Sequence, residues 1–188
     1  MSVQTQQHPN GVNVEQLLQT VEAIRAQPNL ARFEFRSTAR WIQGGRSETL
    51  IQGFHGAGAE DTSRAEPFRL VADEPPVLLG TNEGPNAVEF VLHALTSCLT
   101  VGLAYNAAAR GITVHSIAFE VVGELDLHAF LGLSDSVRPG YQGIQLRCHL
   151  ETDATEEAVA DLWTHVQRTS PLLDILRNPV PVIIGLSV

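Results

Sequence analysis

The sequence predicts an α+β fold in which a mostly antiparallel sheet packs around one long buried helix. Three observations carry this reading. Strand-like stretches stand on both sides of the middle of the chain, within residues 31–55 and 112–150, with period-two alternation after Gly111. Between them, residues 90–109 contain no Asp, Glu, Lys or Arg. Helix-period segments with capping signals lie near both ends, ahead of Pro28 and after Thr155.

The elements follow in order. Residues 1–12 read as a loose polar tail. Asn13 with Gln16 makes a capping-box pattern, opening an amphipathic helix through Val14, Leu17, Leu18, Val21 and Ile24 that Pro28 ends. Phe33, Phe35 and Trp41 lie in an extended stretch turned by Gly44-Gly45 into a second strand, so 31–55 reads as a β-hairpin. Residues 56–66 are expected to form a polar loop, and 68–72 a short strand leading into Asp73-Glu74-Pro75-Pro76. Asn86 and Glu89 then form the capping box of the long helix, and Arg110-Gly111 stops it. A charge-free run of this length could also span a membrane. His93, Thr96, Ser97, Thr100 and Asn106 within it, and strands on both sides, favour a core helix.

Beyond Gly111, residues 112–127 alternate with period two, a turn-rich stretch covers 132–143, and a strand covers 144–150. Leu146, Cys148 and Leu150 share one face of that strand, the face expected to meet the long helix. Glu124, Asp126 and His128 alternate along one strand face and have the chemistry to ligate a cation, although such a row more commonly reads as the solvated side. Thr155 caps a helix reaching about Thr169, Ser170-Pro171 restarts a shorter one to Arg177, and Asn178-Pro179 breaks it before a last strand at 180–186.

Composition excludes several function classes. With 12 Lys+Arg against 21 Asp+Glu the formal charge is −9, and the basic residues are scattered, which argues against nucleic acid and anionic membrane as partners. The first residues lack the basic and apolar regions of a signal peptide. Two cysteines without a CxxC give no disulfide framework, so the cytoplasm is the expected compartment. Phosphate-loop, HExxH, GxSxG and zinc-spacing motifs are missing, so neither a cofactor nor a metal is expected. Residues 1–30 are read as a tail and helix, and 31–188 as the main domain. A charged fraction of 18% is low for a soluble domain and hints at apolar surface covered by another subunit.

Cys98 sits about three turns inside the long helix. A free cysteine there is commonly a small core residue. Reactivity requires the thiolate, and mid-helix the helix N-terminus contributes little to it, so a cation must come from elsewhere. Arg36, Arg40 and Arg46 in the hairpin are the candidates.

Several ordered motifs over residues 31–188 resemble one known family. Asp73-Glu74-Pro75, Leu79-Gly80, Gly84-Pro85 and the run Val88-Glu89-Phe90-Val91-Leu92-His93-Ala94-Leu95-Thr96-Ser97-Cys98-Leu99 are similar to the core of the OsmC/Ohr family, the osmotically inducible and organic hydroperoxide resistance proteins. Asp126-Leu127, Phe130-Leu131-Gly132-Leu133, Arg138-Pro139-Gly140-Tyr141, Ser170-Pro171 and Asn178-Pro179-Val180-Pro181-Val182 fit the same pattern. The resemblance implies an intertwined homodimer with curved sheets wrapped around two long helices. It also implies a thiol-dependent peroxidase in which Cys98 attacks a small peroxide and becomes a sulfenic acid. Gly44-Gly45-Arg46 resembles the family's Gly-Gly-Arg, which makes Arg46 the candidate for stabilising the thiolate and holding the peroxide.

Two departures stand out. Ser170-Pro171 occupies the place of the family's resolving Cys-Pro, and a hydroxyl cannot form a disulfide. The family Glu ten residues before the cysteine corresponds to Val88, while Glu89, turned by about 100° around the helix, fits the cap. Either Cys148 resolves the sulfenic acid, or an external thiol reductant does. The alternative function is a non-catalytic family member that binds a small apolar or acidic ligand. A structural protein with an inert thiol is a third reading.

Overall fold

The computed structural model describes residues 8–187, which fall into two units, one of residues up to 14 and from 92 onward, the other of Glu15–Val91.

In the Glu15–Val91 unit, α1 (Val14–Ala26) forms as its spacing requires, although Leu18 and Val21 on its apolar stripe stay exposed. Six strands follow: β1 (Glu34–Phe35), β2 (Thr38–Gln43), β3 (Arg46–Ile51), β4 (Phe54–Gly56), β5 (Ala59–Asp61) and β6 (Phe68–Ala72). The expected hairpin is β2–β3, turned at Gly44-Gly45, with Trp41 opposite Ser47 and β6 added along β3. Two expectations are corrected here. β1 does not join this hairpin but pairs with β4, and β4 pairs with β5, so part of the supposed 56–66 loop is strand. Ala57 and Gly58 adopt positive φ, which lets the chain reverse in two residues and return as β5. The rings of Phe33, Phe35 and Phe54 stack on this second sheet, with centroids 5.4–6.3 Å apart.

The other unit is built around the long helix α2 (Ala87–Ala109). Its capping box closes reciprocally: the Asn86 N–H donates to Glu89 Oε2 at 2.8 Å and the Glu89 N–H to Asn86 Oδ1 at 2.9 Å. Gly111, at φ +70°, ends it, and the Ile112 N–H returns to the Ala107 carbonyl at 2.9 Å. Leu95, Leu99, Leu103 and Ala107 recur every fourth residue and form the core with Leu162 and Val166 of α4 (Glu156–Thr169). The antiparallel ribbon β7 (Val114–Glu124) and β8 (Gly143–Thr152) lays Ile117, Phe119, Leu146, Cys148 and Leu150 against this cluster. By length and apolarity α2 could cross a membrane, but one face of it is the core of an α+β unit.

Further corrections concern the ends of these elements. β7 stops at Glu124, and Asp126 turns to cap the short helix α3 (Leu127–Phe130), accepting the His128 N–H, so Glu124, Asp126 and His128 share no strand face. Of the expected loose tail, residues 1–7 lie outside the described residues. Asn10, by contrast, is clamped: its Nδ2 donates to the Ile112 carbonyl and its Oδ1 accepts the Val114 N–H, both at 2.9 Å, beside buried Val12. The last strand expected at 180–186 does not form. Residues 178–187 have no regular structure, with Ile183 99% exposed, because a strand exists only against a partner edge and no described residue of this chain supplies one. Among the described residues the strands therefore make two three-stranded sheets and one ribbon rather than a single sheet.

One contact sets how closely α4 meets α2. A Cβ placed on Gly102 would lie 2.9 Å from Val166 Cγ1, and Val166 is buried and β-branched, so it yields little. Replacing a mid-helix Gly by Ala gains about 1 kcal/mol of helix propensity, against about 1–3 kcal/mol for overpacking. Overpacking wins. Gly102→Ala should therefore lower stability by up to about 2 kcal/mol in urea denaturation, with no loss when compared within a Val166→Ala background.

Candidate functional site

Cys98 precedes the core residue Leu99 on α2 and is half-buried. Its Sγ lies 3.3 Å from Ser170 Oγ. The reason is local. Proline disfavours the helical conformation in the residue before it, and Ser170 closes α4 in an extended conformation (φ −75°, ψ 115°) while Pro171 begins α5 (Pro171–Arg177). As the cap of α5, Ser170 accepts the Leu173 N–H on its Oγ at 3.2 Å. Ser170 is four residues after Val166, and Cys98 four before Gly102, so the tight Gly102–Val166 packing and the sulfur–hydroxyl contact are successive rungs of one antiparallel seam.

The second thiol has a different setting. Cys148 faces Phe119 across the ribbon, and burial pushes its thiol above the ordinary value. It lines a cleft of about 850 Å³ between β8 and α4 with Leu146, Val159 and Trp163. Both cysteines are free thiols. Glu89 is engaged in its cap, as its spacing suggested.

The three candidate arginines all hold carboxylates. Arg36 pairs with Glu60, and Arg40 with buried Glu48, which also binds Arg69. Arg46, opening β3, pairs with Glu83 at 2.5 Å. Its side chain is 27% exposed, against 48% for Arg36 and 67% for Arg40, so its charge is the best shielded of the three.

Glu83 was not visible as a partner in the sequence, where it is one acidic residue in a turn. Its position depends on Asp73, which is 2% exposed. Asp73 Oδ2 accepts the Thr81 hydroxyl at 2.6 Å, the Thr81 N–H at 3.0 Å and the Glu83 N–H at 3.2 Å, while Oδ1 accepts the Glu74 N–H at 2.8 Å. The Thr81 hydroxyl and these backbone donors outweigh burial and hold the Asp73 carboxyl down to about 2. Asp73 thus pins the loop that carries Glu83 to Arg46.

A half-buried thiol on a long core helix, bonded to a helix-capping hydroxyl, sits within an α+β fold of antiparallel sheets. Residues 80–185, more than half of the chain, match the family model described as OsmC-like protein, and the chain belongs to the OsmC-like family. Among solved structures, an OsmC-like protein from Mycoplasma pneumoniae superposes with a TM-score of 0.61 at 16% identity, covering 78% of this chain and 89% of that one. An organic hydroperoxide resistance protein from Legionella pneumophila gives 0.52 at 14% identity, covering 76% and 88%. An OsmC-like protein of unknown function from Vibrio cholerae gives 0.53 at 13%, covering 75% and 92%. These likenesses establish the fold. A search among curated proteins finds no significant sequence match.

The Asp73 carboxylate, depressed in the folded chain relative to its ordinary 3.8, contributes stability above about pH 4 that is lost as the pH falls toward 2. Asp73→Asn should lower the urea midpoint at pH 7, and the gap to the unmodified chain should close as the pH approaches 2, read by circular dichroism.

Proposed function

We propose that the protein is a one-cysteine, thiol-dependent hydroperoxide reductase that uses Cys98. The observation carrying this reading is the contact of the Cys98 sulfur with the hydroxyl of Ser170, at the place where the family resemblance sets a resolving cysteine. In the reaction the Cys98 thiolate attacks the terminal oxygen of an alkyl hydroperoxide. The S–O bond forms as the O–O bond breaks, the alkoxide takes a proton and leaves as the alcohol, and sulfur is oxidised to the sulfenic acid. Arg46 is the proposed cation for the thiolate, on its likeness to the family's Gly-Gly-Arg; within its own unit it is held by Glu83.

Regeneration needs an external thiol. Ser170 offers a hydroxyl, and Cys148 lies in its own cleft with its ionisation disfavoured by burial. Two equivalents of a reducing thiol return the sulfenic acid to the thiol, giving the reductant's disulfide and water.

A second copy of the chain in the cytoplasm is the proposed partner. Supporting it are Val182, Ile183, Ile184 and Leu186 beyond α5, together with Val101 and Tyr105 on α2, all exposed in the single chain. Apolar surface of this extent is uncommon on a protein that works as a monomer.

After one equivalent of cumene hydroperoxide, dimedone should label Cys98, identified by peptide mass spectrometry, on a protein that sediments as a dimer. In Arg46→Ala the labelling rate should fall at least tenfold. An unlabelled Cys98 in the unmodified protein refutes the reading. An unchanged rate in Arg46→Ala refutes the assignment of Arg46.

A further inference from the structure

We infer that Ser170 is a fixed hydrogen-bond donor to the anionic forms of the Cys98 sulfur, the thiolate before oxidation and the sulfenate after it. The inference rests on the one-cysteine reading for its use in turnover, and it stands on geometry of its own.

A serine hydroxyl has one hydrogen and two lone pairs. At Ser170 one lone pair is committed to the Leu173 N–H at 3.2 Å, which leaves the hydrogen for the Cys98 Sγ at 3.3 Å. While sulfur keeps its proton, either atom can donate. Once sulfur is ionised, only the hydroxyl can, and the bond becomes charge-assisted. Ionisation therefore strengthens an existing bond and needs no new arrangement. Ser170 is 6% exposed, so water competes little for that hydrogen.

The orientation is held by the chain itself. Ser170 ends one helix and caps the next, and the rotamer that accepts the Leu173 N–H is the one that presents the hydroxyl to Cys98. Three of the titratable groups on the helices meeting here have other partners: His93 on α2 bonds Ser97, Arg168 on α4 bonds His165, and Asp174 on α5 bonds Asn178. The hydroxyl is the donor placed on the sulfur. At this position a cysteine would supply covalent resolution, whereas the serine supplies a bond that favours the anion and cannot consume the sulfenic acid.

The test is the pH profile of iodoacetamide alkylation at Cys98 in the full chain, resolved from Cys148 by peptide mass spectrometry. Two variants separate the hydroxyl from the cap. Ser170→Ala removes both, whereas Ser170→Asp keeps a capping oxygen but has no hydrogen to give. Both profiles should move to higher pH by about one unit or more, a tenfold loss of rate on the rising limb. Profiles that coincide with the unmodified protein overturn the inference. So does a shift in Ser170→Ala alone, which would trace to the cap, or in Ser170→Asp alone, which would trace to the added charge. Dimedone labelling of the unmodified protein, run in parallel, keeps the two proposals apart. Labelled Cys98 with unmoved profiles overturns the donor role only. Unlabelled Cys98 with both profiles moved overturns the peroxide chemistry and supports the donor.

Discussion

Gly102 has no side chain, and Val166 stands in the space that one would need. That close approach fixes the distance between α2 and α4, and through the helical repeat it fixes what happens one turn away. There α4 has ended at Ser170, and its hydroxyl reaches the Cys98 sulfur. Leu95, Leu99, Leu103, Leu162 and Val166 hold the seam closed by apolar burial, so the sulfur and the hydroxyl are positioned by the core.

In the Glu15–Val91 unit, the organising interaction is electrostatic. Asp73 gathers four hydrogen bonds and gives the loop from Glu74 to Glu83 one conformation. The guanidinium of Arg46 is held at its end by Glu83. An arginine in such a grip loses little entropy on meeting an anion, although the carboxylate also competes with that anion. The proposed chemistry would ask for this balance: a constrained cation that can still exchange partners.

Much of the architecture was legible in the residues, because the deciding forces were local. The Asn86–Glu89 box, the Gly111 stop, the Gly44-Gly45 turn, the Thr155 cap and the Ser170-Pro171 restart are short-range signals, and each forms as read. What the sequence hid depends on distant partners. Asn10 looked like part of a polar tail, yet its amide spans the Ile112 and Val114 backbone. Residues 59–61 looked like loop because polar side chains suit an edge strand as well as a turn. The 180–186 segment carries strand propensity, but propensity cannot supply an edge to pair with. Cys98, Ser170 and Arg46 were named from motifs, and the cap role of Glu89 from its spacing. Glu83 had no such signal, since its pairing follows from the Asp73 loop.

The most direct test of the central claim is steady-state consumption of cumene hydroperoxide with dithiothreitol as the external thiol. Many turnovers are expected from the unmodified protein and from Cys148→Ser, and none from Cys98→Ser. Consumption that survives Cys98→Ser, or that vanishes in Cys148→Ser, would contradict a cycle run by one sulfur.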